Sequence, residues 1–230
     1  MTDLISIIVP VYNEAGTILA VLERLLTIEL PAAREIIVIN DGSSDATREV
    51  LDSMTCANPA VTIVHIDRNR GKGHAVRLGI ARSRGSVVAI QDADLELDPA
   101  QLAGLVQPIL RGDADVVYGS RFLTNVRMPW LSRAANTSLT MITNALYGGA
   151  LTDMETCYKI MRGEVARRLE LTANRFDIEP EITAKLLKGG YRIVERPVSF
   201  SPRSRAAGKK IRWHDGVQAV RVLVRHRLKK

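Results

Sequence analysis

Residues 86–96 read SVVAIQDADLE, a short apolar run that passes directly into alternating carboxylates. Four apolar residues in succession are typical of a strand that is buried on both faces of a parallel sheet. Asp92, Asp94 and Glu96 stand where that strand ends. Because open α/β sheets bind their ligands at the carboxyl ends of the strands, this stretch predicts a sheet and the edge that carries its site.

The same pattern recurs along the first half of the chain. Four further strands are predicted, at Leu4–Val11, Glu35–Asn40, Val61–Ile66 and Asp115–Gly119. Helical patterns separate them, at residues 18–26, 44–54 (with Ser43 or Ser44 as N-cap), 73–84 and from Asp98–Pro99 onward. Such units indicate parallel strands joined by right-handed crossovers. The expected fold is α/β, a single Rossmann-like domain with a mostly parallel, doubly wound sheet flanked by helices.

The pattern changes after Arg121. The second half predicts a helix over 130–147, an irregular segment over 152–161 that ends in a strand, a helix over 179–188, a strand over 191–200 and a basic loop over 201–210. A final basic, amphipathic helix is expected over 211–230. Since no internal repeat or linker is evident in the 230 residues, one domain is expected.

The net charge of +7 is concentrated at the end of the chain. From Arg192 onward, twelve Lys and Arg side chains face two acids, so the preceding region is weakly acidic. A basic end indicates an anionic partner, namely phosphates, lipid headgroups or nucleic acid, unless it is only a solvated charged face. With 4% aromatic residues and no recognised DNA- or RNA-binding motif, a nucleic-acid partner is not expected.

The remaining composition predicts a cytoplasmic protein. Cys56 and Cys157 are too far apart in sequence for a CxxC site and are expected to be reduced and structural. The first apolar run has strand length and no basic stretch before it, so a signal peptide is not expected. No run approaches the ~18 apolar residues of a membrane span, which leaves a soluble or peripheral protein.

The carboxylates after the fourth strand predict a metal site. Alternate acids that leave a buried strand can converge on one hard cation, which in turn bridges diphosphate oxygens. A departing nucleoside diphosphate requires such charge neutralisation. Asp-x-Asp alone also occurs in loops and helix caps, and its place after an apolar strand favours the functional interpretation.

Two further motifs follow the first and second strands. Residues 10–14 (PVYNE) and 40–45 (NDGSSD) are each also typical of a simple turn with capping residues. Together, at neighbouring strand ends, they outline a nucleotide pocket, in which Tyr12 could stack on a base and Asp41 could accept from the base or ribose. Residues 71–73 (GKG) resemble a phosphate cradle but lack the P-loop spacing.

These motifs carry a family resemblance. Residues 7–14 (IIVPVYNE), 38–47 (VINDGSSDAT), 69–73 (NRGKG) and 91–96 (QDADLE) resemble, in this order, family 2 glycosyltransferases of the GT-A fold. The resemblance covers nearly the whole chain. Asp98-Pro99 after QDADLE, residues 119–122 (GSRF) and residues 153–159 (DMETCYK) narrow it to the polyprenyl-phosphate (dolichol-phosphate) mannosyl- and glucosyltransferases.

The resemblance implies a role for each matching residue. Residues 1–120 would bind the nucleotide sugar, 121–210 the acceptor, and Mg²⁺ or Mn²⁺ would be held by Asp92, Asp94 and Glu96. Arg203 and Lys209 would close over the diphosphate on a mobile loop and, with Asp94, support catalysis. Arg133 and Thr137, one helical turn apart, would hold the lipid phosphate. The implied donor contacts are Pro10, Tyr12, Glu14, Ile39, Asp41, Asp92, Ala93, Asp94, Arg121, Arg203 and Lys209.

The expected activity is a metal-dependent, inverting transfer of mannose or glucose from a GDP- or UDP-sugar to a polyprenyl phosphate at the cytoplasmic membrane face. An acceptor that is already anionic needs no strong base. A soluble or polysaccharide acceptor remains an alternative, and Asp153 or Glu155 would then serve as the base. A nucleotidyltransferase is a further alternative, against which Tyr12-Asn13-Glu14 argues, because a Gly-rich basic signature is expected after its first strand.

The last helix allows two interpretations. Its apolar stripe comprises Trp213, Val217, Val220 and Val224, with Arg221, Arg225 and Lys229 on an adjacent face. Such a helix can lie in the interface of an anionic membrane. Alternatively, the stripe packs on the sheet and the basic residues are solvated.

Overall fold

The computed structural model describes residues 3–54, 58–125, 128–203 and 213–228. Seven strands lie within these residues: β1 (Leu4–Val11), β2 (Ala33–Asp41), β3 (Val61–Ile66), β4 (Val87–Ile90), β5 (Val116–Ser120), β6 (Lys159–Arg162) and β7 (Ile193–Pro197). The α-helices are α1 (Ile18–Thr27), α2 (Thr47–Asp52), α3 (Lys72–Arg82), α4 (Leu102–Leu110), α5 (Trp130–Tyr147), α6 (Gly163–Arg168), α7 (Ile178–Lys188) and α8 (Trp213–Leu228).

The strands form one sheet in the order β3-β2-β1-β4-β6-β5-β7. β1 pairs in parallel with both β2 and β4, and β2 pairs in parallel with β3. β6 runs antiparallel between β4 and β5, and β7 is parallel to β5. The predicted α/β class and mostly parallel sheet are confirmed. The sequence did not show that β6 separates β4 from β5, because strand pairing depends on contacts distant in the chain.

The core lies on both faces of the central strand β1. Residues Ile7 and Ile8 of this strand are fully buried, as its continuous apolar run requires. The apolar face of α1 is buried as its helical spacing predicts. On α3, a Cβ at Gly79 would overlap the Ile8 side chain, so this helix packs directly on β1.

Some of the predicted helix and strand boundaries agree with the structure, and others differ from it. α5 has its predicted bounds, and Asp98 caps the turn that opens at Pro99, its carboxylate accepting from the Ala100 N–H at 3.1 Å. The predicted cap of α2 is wrong: the helix begins at Thr47, whose N–H donates to Asp45 at 3.0 Å. β7 is shorter than the predicted 191–200 strand, and α6 was not predicted.

Within the described ranges, none of the helices combines the length and apolarity needed to cross a bilayer.

Candidate active site

The segments that follow β1 and β2 interlock at the carboxyl edge of the sheet. Asn13 has a left-handed backbone (φ 50°), which is uncommon outside glycine. Its N–H donates to Ser43 Oγ at 2.9 Å, and its side-chain oxygen accepts from the Ser44 N–H at 2.8 Å. The two motifs that sequence analysis treated separately therefore form one hydrogen-bonded unit, with Tyr12 and Glu14 on either side of Asn13.

Asp92, at the end of β4, is paired with a lysine from another element. Lys72 Nζ lies 2.8 Å from Asp92 Oδ1 and 2.8 Å from Glu179 Oε1. Burial, the largest single effect, would raise the pKa of Asp92, but the charge and hydrogen bond of Lys72, together with Cys157 and Arg203, lower that pKa below its ordinary value. Asp92, Lys72 and Glu179 thus form a buried charged triad beside the predicted donor site.

Asp94 and Glu96 lie on a strained turn. Leu95 between them has φ 61°, a conformation that a bulky side chain rarely adopts. Burial, together with the charges of Asp92 and Glu96, raises the pKa of Asp94 to about 6, although the nearby Arg203 opposes the shift. Carboxylates this close repel one another unless a cation lies between them.

Arg203 supplies a cation at this point. Its guanidinium donates to Glu14 at 2.9 and 3.1 Å and to Asp94 at 3.0 Å, and its backbone N–H donates to Glu96 at 2.8 Å. The predicted loop arginine therefore reaches the predicted metal ligands. Its partner Lys209 lies outside the described residues.

The predicted metal ligands are not arranged as a complete cage. Among the described residues, no group of three or more His, Cys, Asp or Glu side chains could hold a metal ion as it stands. Asp92 is directed toward Lys72, whereas Asp94 and Glu96 both contact Arg203. Mg²⁺ in nucleotide sites is commonly bound by one or two carboxylates plus substrate phosphates. Asp94 and Glu96 fit such a site, because both carboxylates lie against the same residue, Arg203, and, after burial, the charges of Asp92 and Glu96 raise the pKa of Asp94, as closely spaced carboxylates do.

Asp41 organises the neighbouring glycine-containing loop. Its carboxylate accepts from the backbone N–H groups of Arg70 at 3.0 Å and Gly71 at 2.6 Å. Gly71 has φ 100°, and a Cβ there would collide with the Asn174 carbonyl, so glycine is required at this turn. The residue predicted to contact the base or ribose is therefore buried and holds the loop that precedes Lys72.

The other predicted donor contacts differ in accessibility. Pro10 and Tyr12 are partly exposed at the edge of the sheet. Ala93 is buried, and its carbonyl accepts from Thr17 Oγ1 at 2.7 Å. Ile39 is completely buried and packs with Ile37 and Ala75. A donor contact of Ile39 would have to involve its backbone, and this assignment stays a prediction.

Arg121 is held by a buried ion pair. Its Nε and Nη2 donate to the two oxygens of Asp153, each at 2.7 Å, and its guanidinium lies over the Phe200 ring at 5.1 Å. The Asp153 side chain is completely inaccessible. Because both Asp153 oxygens are occupied, the suggestion that Asp153 serves as a general base does not fit the structure.

The predicted acceptor residues lie on the exposed face of α5. Arg133 and Thr137 are both solvent-exposed, and the Arg133 guanidinium lies over the Phe122 ring at 5.6 Å. Phe122 directly follows Arg121 in a short 3₁₀ helix. Arg121 therefore begins this turn, and Arg133 packs against the turn through the Phe122 ring.

Glu155 and Lys159 lie beneath the region between the donor and acceptor residues. Burial, then the charge of Glu179, raises the pKa of Glu155 to about 7. Burial also lowers the pKa of Lys159 to about 8, although neighbouring carboxylates oppose the shift. Lys159 Nζ donates to the carbonyls of Met154 at 2.6 Å and Thr156 at 2.8 Å. Lys159 therefore shapes the loop that carries Glu155.

Several of these residues were not assigned from the sequence. Lys72 had a local indication, the glycines around it, but Glu179 and Lys159 had none, because an acid in a helix and a lysine in a strand are ordinary. Gln91 was also missed: its amide donates to the carbonyls of Asp92 and Leu97 at 3.0 and 3.2 Å and so closes the carboxylate loop. Only the folded chain brings these groups together.

The last helix, α8, packs on α5 and α7 rather than on the sheet. Its buried residues include Val222 and Leu223, and the Leu223 carbonyl accepts from Tyr147 Oη at 2.7 Å. Two residues of the predicted apolar stripe lie on the other side: Val217 and Val224 are 42% and 39% exposed, whereas Val220 is half-buried and the Trp213 side chain lies outside the described part of the structure. The interpretation that this stripe packs on the sheet is therefore wrong for Val217 and Val224.

Comparison with known proteins agrees with this architecture. The model of glycosyl transferase family 2 matches residues 6–169, and the chain belongs to this family. Glucosyl-3-phosphoglycerate synthase from Mycobacterium tuberculosis, solved with Mn²⁺, UDP and phosphoglyceric acid, superposes with a TM-score of 0.76 at 18% identity, over 98% of this chain and 79% of that one. That likeness identifies the fold as GT-A.

Two relatives in sequence indicate which members of the family this chain resembles. The chain is 30% identical over 224 residues to the polyprenol monophosphomannose synthase of Mycolicibacterium smegmatis, covering 90% of this chain and 82% of that protein. It is 28% identical over 211 residues to the dolichol-phosphate mannosyltransferase of Pyrococcus furiosus, covering 89% and 58%.

These findings support two conclusions. They confirm the predicted resemblance to polyprenyl-phosphate sugar synthases and decide against the nucleotidyltransferase alternative. The chain spans from 33% to 82% of the length of the first curated relatives it matches.

Proposed function

We propose that this protein transfers a hexose, mannose or glucose, from a GDP- or UDP-sugar to a polyprenyl phosphate, with inversion and with Mg²⁺ or Mn²⁺ as cofactor. One observation supports the proposal: two clusters that contain arginine lie at the edge of the sheet where the mutually parallel strands β4 and β5 end. The first is the Asp94–Glu96–Arg203 cluster, and the second is the turn between Arg121 and Arg133. Family membership and the polyprenol-phosphate relatives support the assignment.

The first region suits the nucleoside diphosphate. Asp94 and Glu96 would hold the metal ion, which supplies positive charge to the leaving diphosphate. Arg203 would exchange its carboxylate partners for phosphate oxygens, since a guanidinium can donate paired hydrogen bonds to a carboxylate or to a phosphate. Tyr12 and Glu14, beside the interlocked turn, would contact the nucleoside.

The second region suits a monophosphate. Arg133 and Thr137 remain accessible on α5, next to Arg121, a predicted donor contact that Asp153 holds in place. A phosphate oxygen held there would attack the anomeric carbon. The new carbon–oxygen bond would form as the bond to the diphosphate breaks, and the nucleoside diphosphate would leave with that electron pair. Because the acceptor oxygen is already anionic, positioning and charge screening are the main requirements.

We also propose that the protein works at an anionic membrane surface, because its acceptor is a lipid. The exposed apolar residues Val217, Val224 and Leu228 recur at helical spacing on α8, and exposed Arg221 and Arg225 flank them. Such a face can bury its apolar side chains among lipid headgroups while its arginines contact anionic lipid.

The rival acceptor is a soluble or polysaccharide hydroxyl. It would require a base, and with Asp153 occupied, Glu155 is the remaining carboxyl of the two suggested. Product partitioning distinguishes the two acceptors. Incubation with radiolabelled nucleotide sugar and polyprenyl phosphate should yield label that extracts into organic solvent. Label that stays in the aqueous phase, with sugar or polysaccharide acceptors supporting turnover instead, would establish the rival.

The nucleotide of the donor can be identified by a direct binding measurement. Thermal unfolding with GDP-, UDP- and dTDP-sugars, each with and without Mn²⁺, should show one nucleotide that raises the melting temperature only with metal, because a ligand of the folded state stabilises it. If none of the nucleotides raises the melting temperature, the proposed donor class is wrong.

A further inference from the structure

Two carboxylates near the centre of the site each leave one buried oxygen without a partner. Glu155 Oε1 and Glu179 Oε2 are both inaccessible to solvent, and neither has a hydrogen-bond partner among the described residues. Glu179 as a whole is only 7% exposed. Buried acceptors are nearly always paired in native proteins, so an unpaired one calls for an explanation.

The nearby cations do not provide that partner, because each is already engaged. Lys72 contacts Asp92 and the other oxygen of Glu179. Arg121 is bound in a two-pronged pair with Asp153. These contacts leave both oxygens without a partner among the described residues, and the Glu155 side chain is only partly buried, so a ligand can reach its carboxyl group.

Lys159, the third cation, donates to the backbone carbonyls of Met154 and Thr156 and lies over the Tyr118 ring at 4.2 Å. Four carboxylates (Asp92, Asp153, Glu155 and Glu179) thus face three cations. A phosphate would find each of these three cations already engaged. A neutral group that donates hydrogen bonds fits both oxygens.

The position of the two oxygens indicates what that group is. Glu179 is linked through Lys72 to Asp92 on the donor side. Glu155 lies two residues from Asp153, which holds Arg121 next to Phe122, and the acceptor residue Arg133 lies over the Phe122 ring. In the proposed function, the transferred hexose must lie between these sides, because its anomeric carbon meets the acceptor there. A hexose carries several hydroxyl donors and no charge.

We infer that Glu155 is a specificity-determining residue for the transferred sugar, its Oε1 accepting a hydrogen bond from a hexose hydroxyl beside Glu179. This inference rests on the proposed function and adds to it the recognition of the sugar itself. A site with buried acceptors discriminates strongly against ligands that leave those acceptors unpaired. Glu155 therefore contributes to the affinity for the nucleotide sugar and not to the affinity for the nucleotide alone.

The test compares nucleotide with nucleotide sugar. Calorimetric titrations of UDP, UDP-glucose, GDP and GDP-mannose, each with Mg²⁺, are made on the wild type, on Glu155→Gln and on Glu155→Ala. Glu164→Gln is the matched control, since Glu164 is an exposed acid that pairs only with Arg168 on the same helix. For the nucleotide that the wild type binds, Glu155→Ala should lose at least about tenfold in affinity for the sugar form, a loss of about 1.4 kcal/mol, and Glu155→Gln, which keeps one acceptor oxygen, should lose less. Their affinity for the free diphosphate should match the control.

The possible failures are distinguishable. Equal affinity of wild type and Glu155 variants for the nucleotide sugar would overturn the sugar-recognition role alone. Parallel losses for nucleotide and nucleotide sugar would assign Glu155 a structural role and overturn it as well. A wild type that binds no nucleotide would sink the proposed function and this inference with it.

Discussion

The Arg203 guanidinium lies 3.0 Å from Asp94 Oδ2, although the two residues come from distant parts of the chain. The same guanidinium spans the Glu14 carboxylate, and Ser201 and Arg203 donate backbone N–H groups to Glu96 at 2.8 Å each. The positive charge of Arg203 thus lies against Asp94, one of the predicted metal ligands, and its backbone contacts Glu96, another. Metal binding and the position of Arg203 are therefore expected to be coupled.

Arg203→Ala should separate the two roles of this arginine. Without nucleotide, the variant should bind Mn²⁺ more tightly than the wild type, because Asp94 loses its competing cation. Its kcat should fall by roughly 100-fold, and more than its donor affinity, because leaving-group charge grows in the transition state. Mn²⁺ titration by electron paramagnetic resonance and steady-state kinetics measure these effects, with Arg162→Ala as the control. Unchanged metal affinity would show that Arg203 does not compete with the ion. A loss of donor affinity at constant kcat would show that Arg203 binds the donor only in the ground state.

The same kinetic prediction applies to Lys209→Ala: its kcat should fall more than its donor affinity.

Asp94→Asn should abolish turnover while the fold remains intact. The change removes a charged metal ligand but preserves the shape of a side chain on a loop. A loss of at least roughly 100-fold in kcat is expected, together with most metal-dependent nucleotide binding. Circular dichroism and the melting temperature should stay close to the wild-type values. Undiminished activity would remove Asp94 from the mechanism.

Asp153→Asn should destabilise the protein strongly. It leaves the Arg121 guanidinium buried without its counter-charge, and breaking such a pair typically costs about 3–5 kcal/mol. Asp115→Asn is the matched control, because the Arg162–Asp115 pair is exposed and such pairs contribute about 0–1 kcal/mol. Urea unfolding of both variants gives the two free energies. If both variants lost similarly small amounts of unfolding free energy, the buried pair with Asp153 would not be what fixes Arg121.

Glu155→Gln should change how stability depends on pH. Burial and Glu179 raise the folded-state pKa of Glu155 from 4.5 to about 7, while Lys159 and Arg121 oppose the shift and Asp153 adds to it. The folded state therefore binds this proton more tightly than the unfolded state. This contribution to stability is complete below pH 4.5 and is lost as the pH rises to about 7.

Glutamine has no such proton to lose. The variant should therefore gain stability relative to the wild type between pH 5 and pH 8, by up to a few kcal/mol at about 1.4 kcal/mol per pKa unit. Chemical denaturation at the two pH values measures the difference, and Glu164→Gln should show none. A difference that is independent of pH would contradict the raised pKa.

The exposed face of α8 should bind anionic membranes. The wild type is expected to float with anionic liposomes at low salt, and much less with neutral ones or at high salt. Replacing Arg221 and Arg225 by Gln should weaken binding by about 1 kcal/mol per arginine. Replacing Val217 and Val224 by Ser should weaken it without changing the charge. Flotation that is indifferent to all four changes would exclude α8 as the docking surface.

Substitution is a cleaner test here than truncation. A chain that ends before Arg221 would also lose Leu223, which is completely buried and accepts the hydrogen bond from Tyr147. Such a chain could lose membrane binding because its helix packing is damaged. The four substituted side chains are exposed, and melting temperatures near the wild-type value should verify that the fold is preserved.

Much of the first half could be predicted because its information is local. Continuous apolar runs specified β1 and β4 through the burial that such strands require, and helical spacing specified α1 and α5. The polar ends of the strands then located the candidate site. The pairing of β6 between β4 and β5 could not be predicted, because a short strand carries no local record of its neighbours.

The sequence by itself determined the α/β class, the edge of the sheet that carries the site and the carboxylates that follow β4. These features depend on residue types at fixed spacing, which the chain displays directly. Only the tertiary structure decided that Asp92 and Glu179 meet at Lys72, that Arg203 lies against Asp94, and that Val217 and Val224 of α8 face outward. Each is a contact between distant segments, and its existence depends on burial and charge pairing in the folded chain.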